Sequence, residues 1–404
     1  MLRLLAFVIS VLVIGCPALA QYGASGYGNP VLRISETPPF TRADLRIMDS
    51  ILGLTPAQRE LTDALHSEFF DRYRDEATAV RLEVEALVEE AAITQKQEPL
   101  HEGSDRVTKW NQRVEEMRAQ FVDDLRLLMD QNQIRLWHKV ERELRRKDQI
   151  GDGRIAGEGI DLIRLVDAHI DGWADDPELV AELERYADQI DRAIVARKRF
   201  LDSEETDGFY AMQQDDPERA LALLEESLDL RKRVLELNTQ TLDRLRTQLS
   251  TETHDDLADA FYEQSIERAI PASPLAQRID AARTLPTLTG EQRARIAEAL
   301  ARYDETSLAT KRSLFEALSQ TQMDILPAML HEEIERRAAG EERITDEELK
   351  QPQPLLDEAM AARLERERAA WNAVKPVLSR EQLAELPKLD METVWFPNIN
   401  WFGL

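Results

Sequence analysis

Apolar residues recur along most of this chain at steps of three and four, and that spacing commits it to long amphipathic helices. Leu61, Leu65, Phe69, Tyr73, Ala77, Val80, Val84, Leu87 and Ala91 form one series. Val107, Trp110, Val114, Met117, Phe121, Leu125 and Leu128 form a second. Side chains so spaced share one face of a 3.6-residue helix and need another surface to cover them. The composition agrees: 43% hydrophobic and 32% charged, with only 15 glycines and 17 prolines in 404 residues. Such a mixture favours helices and is too apolar to stay disordered throughout.

The pattern recurs downstream. Leu179, Leu183, Tyr186, Ile190 and Ile194 open another helix, interrupted at "DSEETDG", and Leu223, Leu230, Val234, Leu237 and Leu245 mark its partner. Ile296, Leu300, Tyr303, Ser307, Thr310, Leu314 and Ala317 start a third rod, with a return helix over residues 355–374. "TQKQEPLHEGSD", with Pro99 and Gly103, suits the turn of an antiparallel hairpin. "KDQIGDGRIAGEG" reads as a linker, and "IPASPLAQRIDAARTLPT" as a Pro-containing join. The predicted fold is all-α: tandem long antiparallel helical hairpins with short capping helices, in units over residues 44–150, 151–270 and 271–390. A leader (1–20) and a flexible lead-in (21–43) precede them, and an aromatic tail (391–404) follows.

One short phrase punctuates the pattern. "LTPAQ" begins at Leu54, "LTGEQ" at Leu288 and "LSREQ" at Leu378. Thr55, Thr289 and Ser379 stand at N-cap, with Gln58, Gln292 and Gln382 at N3. The hydroxyl can accept from the N3 amide while the glutamine returns to the cap amide, a capping box. Pro56 at N1 costs nothing, because its missing N–H would be unpaired anyway. Asp130 with Gln133 is a variant, Thr345 with Glu348 a further box, and Asp176-Pro177 and Asp216-Pro217 are plainer starts. Leu378 can staple onto Leu383, whereas Leu54 and Leu288 face Arg59 and Arg293, so they are expected to pack on neighbouring helices. The phrase is a helix-start device; losing one cap costs about 0.5–2 kcal/mol.

On these residues the chain resembles the Spy and CpxP family of periplasmic proteins, whose motif is Leu-Thr-x-x-Gln. The match covers Leu54, Thr55 and Gln58, Leu288, Thr289 and Gln292, and Leu378, Ser379 and Gln382. The middle unit departs from it, with Thr253 where the glutamine after Ser250 belongs. Members are small helical hairpins, often cradle-shaped dimers, that act as ATP-independent chaperones, stress-sensor adaptors or metal-responsive proteins. The resemblance implies binding of unfolded or envelope proteins without catalysis. This chain is about three times a member's length, and it is acidic where the chaperone cradle tends to be basic.

The start reads as an export signal. Arg3 precedes an apolar stretch from Leu4 to Ile14, and Ala18-Leu19-Ala20 offers small residues at a cleavage site. Val13-Ile14-Gly15-Cys16 competes as a lipoprotein box, with Cys16 the lipidated residue and the outer membrane the destination. Both readings place the mature chain in the periplasm or outside the cell. Cys16 is the one cysteine, so no disulfide is expected, and no further apolar run is long enough for a transmembrane anchor. The formal charge of −26, from 51 basic and 77 acidic residues, opposes nucleic acid as a partner.

Catalytic chemistry finds no foothold, and no cofactor or metal is expected. His66, His101, His138, His169, His254 and His331 form no helical ligand pair. Around Asp148, Asp152 and Gly153 a calcium loop fails, because Ile150 and Gly159 stand where oxygen ligands belong. No phosphate-binding glycine loop or nucleophile elbow occurs. Tyr73, Tyr186 and Tyr303 occupy related early-helix positions, open to core packing or partner contact. Trp395, Phe396, Trp401 and Phe402 concentrate in the tail, which either folds back on the bundle or offers a partner-binding peptide. The expected function is a non-enzymatic, exported binder of proteins; a scaffold anchored at Cys16 and a weak divalent-cation sensor are the rivals.

Overall fold

The computed structural model describes residues 34, 37–94, 96, 98–213, 216–340 and 354–388. The leader with Cys16, the Thr345–Glu348 box and the aromatic tail with Trp395, Phe396, Trp401 and Phe402 lie outside them. The described chain is all-α, without a strand. The helices are α1 (Arg42–Leu52), α2 (Pro56–Thr94), α3 (Glu98–Leu127), α4 (Gln131–Gln149), α5 (Leu162–His169), α6 (Pro177–Gln213) and α7 (Pro217–Leu245). They continue with α8 (Thr251–Glu267), α9 (Pro274–Thr284), α10 (Gly290–Glu305), α11 (Ser307–Ala339), α12 (Pro354–Val374) and α13 (Arg380–Glu385). The chain divides into two compact units, one over Ala20–Arg145 and one that includes Arg146–Leu404, with the boundary inside α4.

In the first unit α2 and α3 run antiparallel. Phe69 stacks on Phe121 at 4.8 Å, Tyr73 meets Trp110 at 5.3 Å, and Arg113 pairs with Glu76 at 2.9 Å. Only residues 95–97 join them; Pro99 sits in the first turn of α3, where no N–H is required. Phe40, Leu45, Met48 and Leu52 cover one side, and Trp137, Val140 and Leu144 of α4 join the same core. α1 is a helix that the apolar series did not reveal. It ends at Gly53, whose φ of 60° is left-handed and whose N–H returns to Asp49 O at 2.8 Å.

The second unit has two clusters. One gathers α5, α6, α7, α8 and α11 around residues 150–162, with Phe315 packed on Phe261 and Tyr262. The other joins α9, α10, α12 and α13, with Arg278 over the Trp371 ring at 4.8 Å. Three expectations change here. The rod expected from Ile296 to Ala317 is two helices, α10 and α11, parted at Thr306, and Ile296 and Leu300 join one cluster while Leu314 and Ala317 join the other. α6 runs unbroken through "DSEETDG", and the Pro-containing join contains the helix α9, capped by Ser273 through the Ala276 N–H.

The capping boxes form in both units, and they meet in pairs. The Gln58 side chain accepts from Thr55 N–H at 2.9 Å, and Gln133 accepts from Asp130 N–H at 2.9 Å. Each amide nitrogen then crosses to the other start: Gln58 Nε2 donates to Leu128 O and Gln133 Oε1, and Gln133 Nε2 to Leu52 O and Gln58 Oε1. The arrangement repeats between α10 and α13. Gln292 Nε2 donates to Val377 O and Gln382 Oε1, and Gln382 Nε2 to Thr287 O and Gln292 Oε1, at 2.9–3.1 Å. Leu54, Leu288 and Leu378 are buried in the adjoining cores. The phrase therefore does more than start helices: it clasps the start of an outgoing helix to the start of the helix that follows the return helix of the hairpin.

Each clasp amide makes all four of its hydrogen bonds, so removing either partner strands the other. Gln58→Ala and Gln133→Ala should each cost about 1–3 kcal/mol, and the double variant less than their sum. Urea denaturation of all three checks this; simple additivity would show that the two glutamines act only as separate caps.

Candidate functional site

Two places draw attention: a buried charged centre in the second unit, and the water-facing side of the first hairpin.

The charged centre occupies the stretch read above as a linker. Residues 155–160 are buried and belong to no helix or strand. Side chains bond several of their backbone groups. Asn238 Nδ2 donates to Gly157 O at 2.7 Å and to Ile160 O at 3.0 Å. Gln322 accepts from Ala156 N–H at 2.7 Å, the Ser319 hydroxyl donates to Ala156 O, and the Tyr186 hydroxyl accepts from Leu162 N–H. Gly157 has φ 83°, and a Cβ there would lie 2.7 Å from the Phe315 ring.

Glu158, with 0% of its surface exposed, is the hub. Arg197 pairs with Oε1, Arg231 reaches both oxygens at 3.2 Å, and the N–H groups of Arg154 and Ile155 donate to Oε2. Burial by itself pushes the carboxyl pKa up. The Arg231 and Arg197 charges and the two backbone donors outweigh it, so the net shift is down. Arg146 pairs with Asp161 at 2.9 Å, also buried. A carboxylate kept ionised, saturated with donors and closed to water cannot exchange a proton with a substrate. This is a structural centre that holds an irregular segment inside a helical bundle.

Sequence reasoning missed it, although a signal existed. The buried stripe of α7 runs through Leu224, Arg231, Val234, Asn238 and Leu242, while Leu223, Leu230 and Leu237 are only half-buried. Arg231 and Asn238 thus sit seven residues apart on the core face, where polar residues need partners.

The other sequence candidates are dispersed. His66 Nε2 lies 3.1 Å from Phe40 O and His254 Nε2 3.2 Å from Leu242 O, both buried; His101, His138, His169 and His331 are exposed. Among the described residues no group of three or more His, Cys, Asp or Glu is placed to hold a metal, and no helix is long and apolar enough to cross a membrane. Tyr73 and Tyr186 are buried and Tyr303 half-buried; Arg366 lies over the Tyr303 ring at 4.3 Å.

The first hairpin presents the opposite situation. Exposed large hydrophobic residues among those described are Leu61, Phe70, Leu82, Ile93, Leu127, Ile134 and Leu355, and all but Leu355 belong to the smaller unit. Ile93 is 75% exposed and Leu127 84%. Leu61 and Ile134 stand beside the Gln58–Gln133 clasp, and Leu82 and Ile93 lie toward the far end of α2. The corresponding residues at the second clasp are Arg295, which is exposed, and Leu383, which packs on a core.

Comparison with protein-family models, with curated proteins and with solved structures gave no match.

Removing the Glu158 charge takes away the buried carboxylate that Arg197 and Arg231 share. Glu158→Gln is expected to cost about 3–5 kcal/mol in denaturant unfolding. The folded pKa lies below the ordinary value of 4.5, so the stabilisation is complete above that pH and is lost as pH falls through the folded value. Wild-type stability should therefore decline below pH 4.5, and the variant should show a shallower decline.

Proposed function

We propose that this chain is an exported, non-enzymatic helical protein that binds other proteins without ATP, as a chaperone or stress-response adaptor of the Spy and CpxP kind. One observation carries the reading: the apolar side chains left in water gather on the first hairpin. Burying three such side chains is worth at most roughly 5–9 kcal/mol before the costs of association, enough for a transient complex. The glutamine clasps support the resemblance, because they give the Leu-Thr-x-x-Gln residues a common structural role in both units. The leader supports export, either by cleavage after Ala20 or by lipidation at Cys16; the mass of the mature N-terminus in a bacterial host distinguishes the two.

The decisive experiment dilutes a chemically denatured client into buffer with the chain purified from Gln21 onward, without ATP. Suppression of light scattering near stoichiometric ratios is expected, and Leu61→Glu with Leu127→Glu should weaken it. Unchanged scattering at several-fold excess would sink the reading.

A further inference from the structure

The far end of the first hairpin carries an apolar row with a definite charge around it. Leu82, Ala86 and Ile93 are spaced by four and seven residues, so they share one side of α2 over about 16 Å. All three are exposed. The opposite side of the same turns carries Val84 and Ala91, which are buried along with Val107 of α3. Beyond Ala77 and Trp110 the aromatic core has ended, and smaller buried residues take its place between the two helices. The outward row is thus not the hairpin's own core turned partly to water. It is a second apolar face.

Between Leu82 and Ile93 stand four glutamates, Glu83, Glu85, Glu89 and Glu90, and no Lys or Arg. Glu83 pairs with Arg106 at 3.2 Å, and Glu85 lies 3.9 Å from Arg81. Glu89 and Glu90 have no ion-pair partner among the described residues. Helical spacing puts Glu89 within the row, between Ala86 and Ile93, and Glu90 beside it.

A neutral apolar partner laid on this row would strip water from both carboxylates and return nothing, a costly exchange. A partner with Lys or Arg beside its apolar residues would recover the loss through charge-assisted hydrogen bonds. We infer that the Leu82–Ala86–Ile93 face of α2 docks cationic amphipathic segments of other proteins, with Glu89 and Glu90 as the charge contacts. The inference rests on the protein-binding reading above and names its partner class. It also gives the acidic surface a selective role: segments rich in Asp and Glu are repelled from the same face.

The test uses the chain from Gln21 onward and a fluorescent amphipathic peptide of leucine and lysine, about 20 residues long so that a helix can form on docking. Its glutamate counterpart serves as the control. Anisotropy should show micromolar binding of the lysine peptide, weakened by salt, and none of the glutamate peptide. Leu82→Glu with Ile93→Glu, and separately Glu89→Lys with Glu90→Lys, should each raise Kd roughly tenfold or more. All four positions are exposed, so both variants should fold, which thermal melting verifies. Glu298→Lys with Glu305→Lys makes the same charge change on exposed positions of α10 and should alter Kd by less than about twofold.

Equal weakening by the α10 pair would mean that net charge alone attracts the peptide, and would overturn the inference. So would binding of the glutamate peptide, or no binding of the lysine peptide. The two proposals separate cleanly: client suppression that survives in the α2 variants leaves the chaperone reading and removes this face. Peptide binding at α2 without client suppression does the reverse.

Discussion

A helix start leaves backbone N–H groups without partners, and a side-chain amide has two donors and two acceptor sites with which to answer them. The hairpin bases of this protein depend on that match. Gln58 and Gln133 each bind the cap amide of their own helix, a carbonyl before the other helix, and each other. Gln292 and Gln382 do the same. Because the amides are shared, neither start is complete alone. The register of α2 against α4, and of α10 against α13, is fixed at the point where these helices originate.

The middle hairpin solves the same problem with charge. Leu179 and Thr253 occupy the N3 positions that carry glutamine elsewhere, and no clasp forms. Instead Glu182 pairs with Arg244 and Arg185 near the base, Tyr186 donates to Asn238 at 2.8 Å, and Glu158 binds Arg197 and Arg231 further along. Glu158 and Asn238 do what regular hydrogen bonding does elsewhere: they complete the backbone of a segment that is neither helix nor strand. Such a centre contributes little net stability over an apolar core, but half of it would be worse than none. It fixes one arrangement of residues 154–160.

The two units therefore use their surfaces differently. In the second, polar residues have been drawn inward to hold an irregular segment. In the first, the interior is aromatic at the base and sparse at the tip, and apolar residues remain outside. The second arrangement costs solubility unless something offsets it, and the dense carboxylates of α2 do so. Charge and apolar exposure alternate along that helix.

Much of this was legible in advance. Steps of three and four gave the all-α class and a helix over residues 355–374, found at Pro354–Val374, since burial of one helix face imposes that spacing whatever the partner. Thr55, Thr289 and Ser379 were readable as caps because capping is local, settled within four residues. Pairing of those caps was not readable: it joins Gln58 to Gln133 and Gln292 to Gln382 across an entire hairpin, and only the packing of the long helices sets that distance. The same holds for Glu158. Its neighbours suggested a linker, because glycines punctuate a helical pattern. Only the folded bundle brings Arg197, Arg231 and Asn238 to meet it, and a buried charge is tolerable only where such partners converge. Local chemistry was written in the sequence; long-range polar pairing was decided by the tertiary structure, because its free energy depends on distances the sequence does not contain.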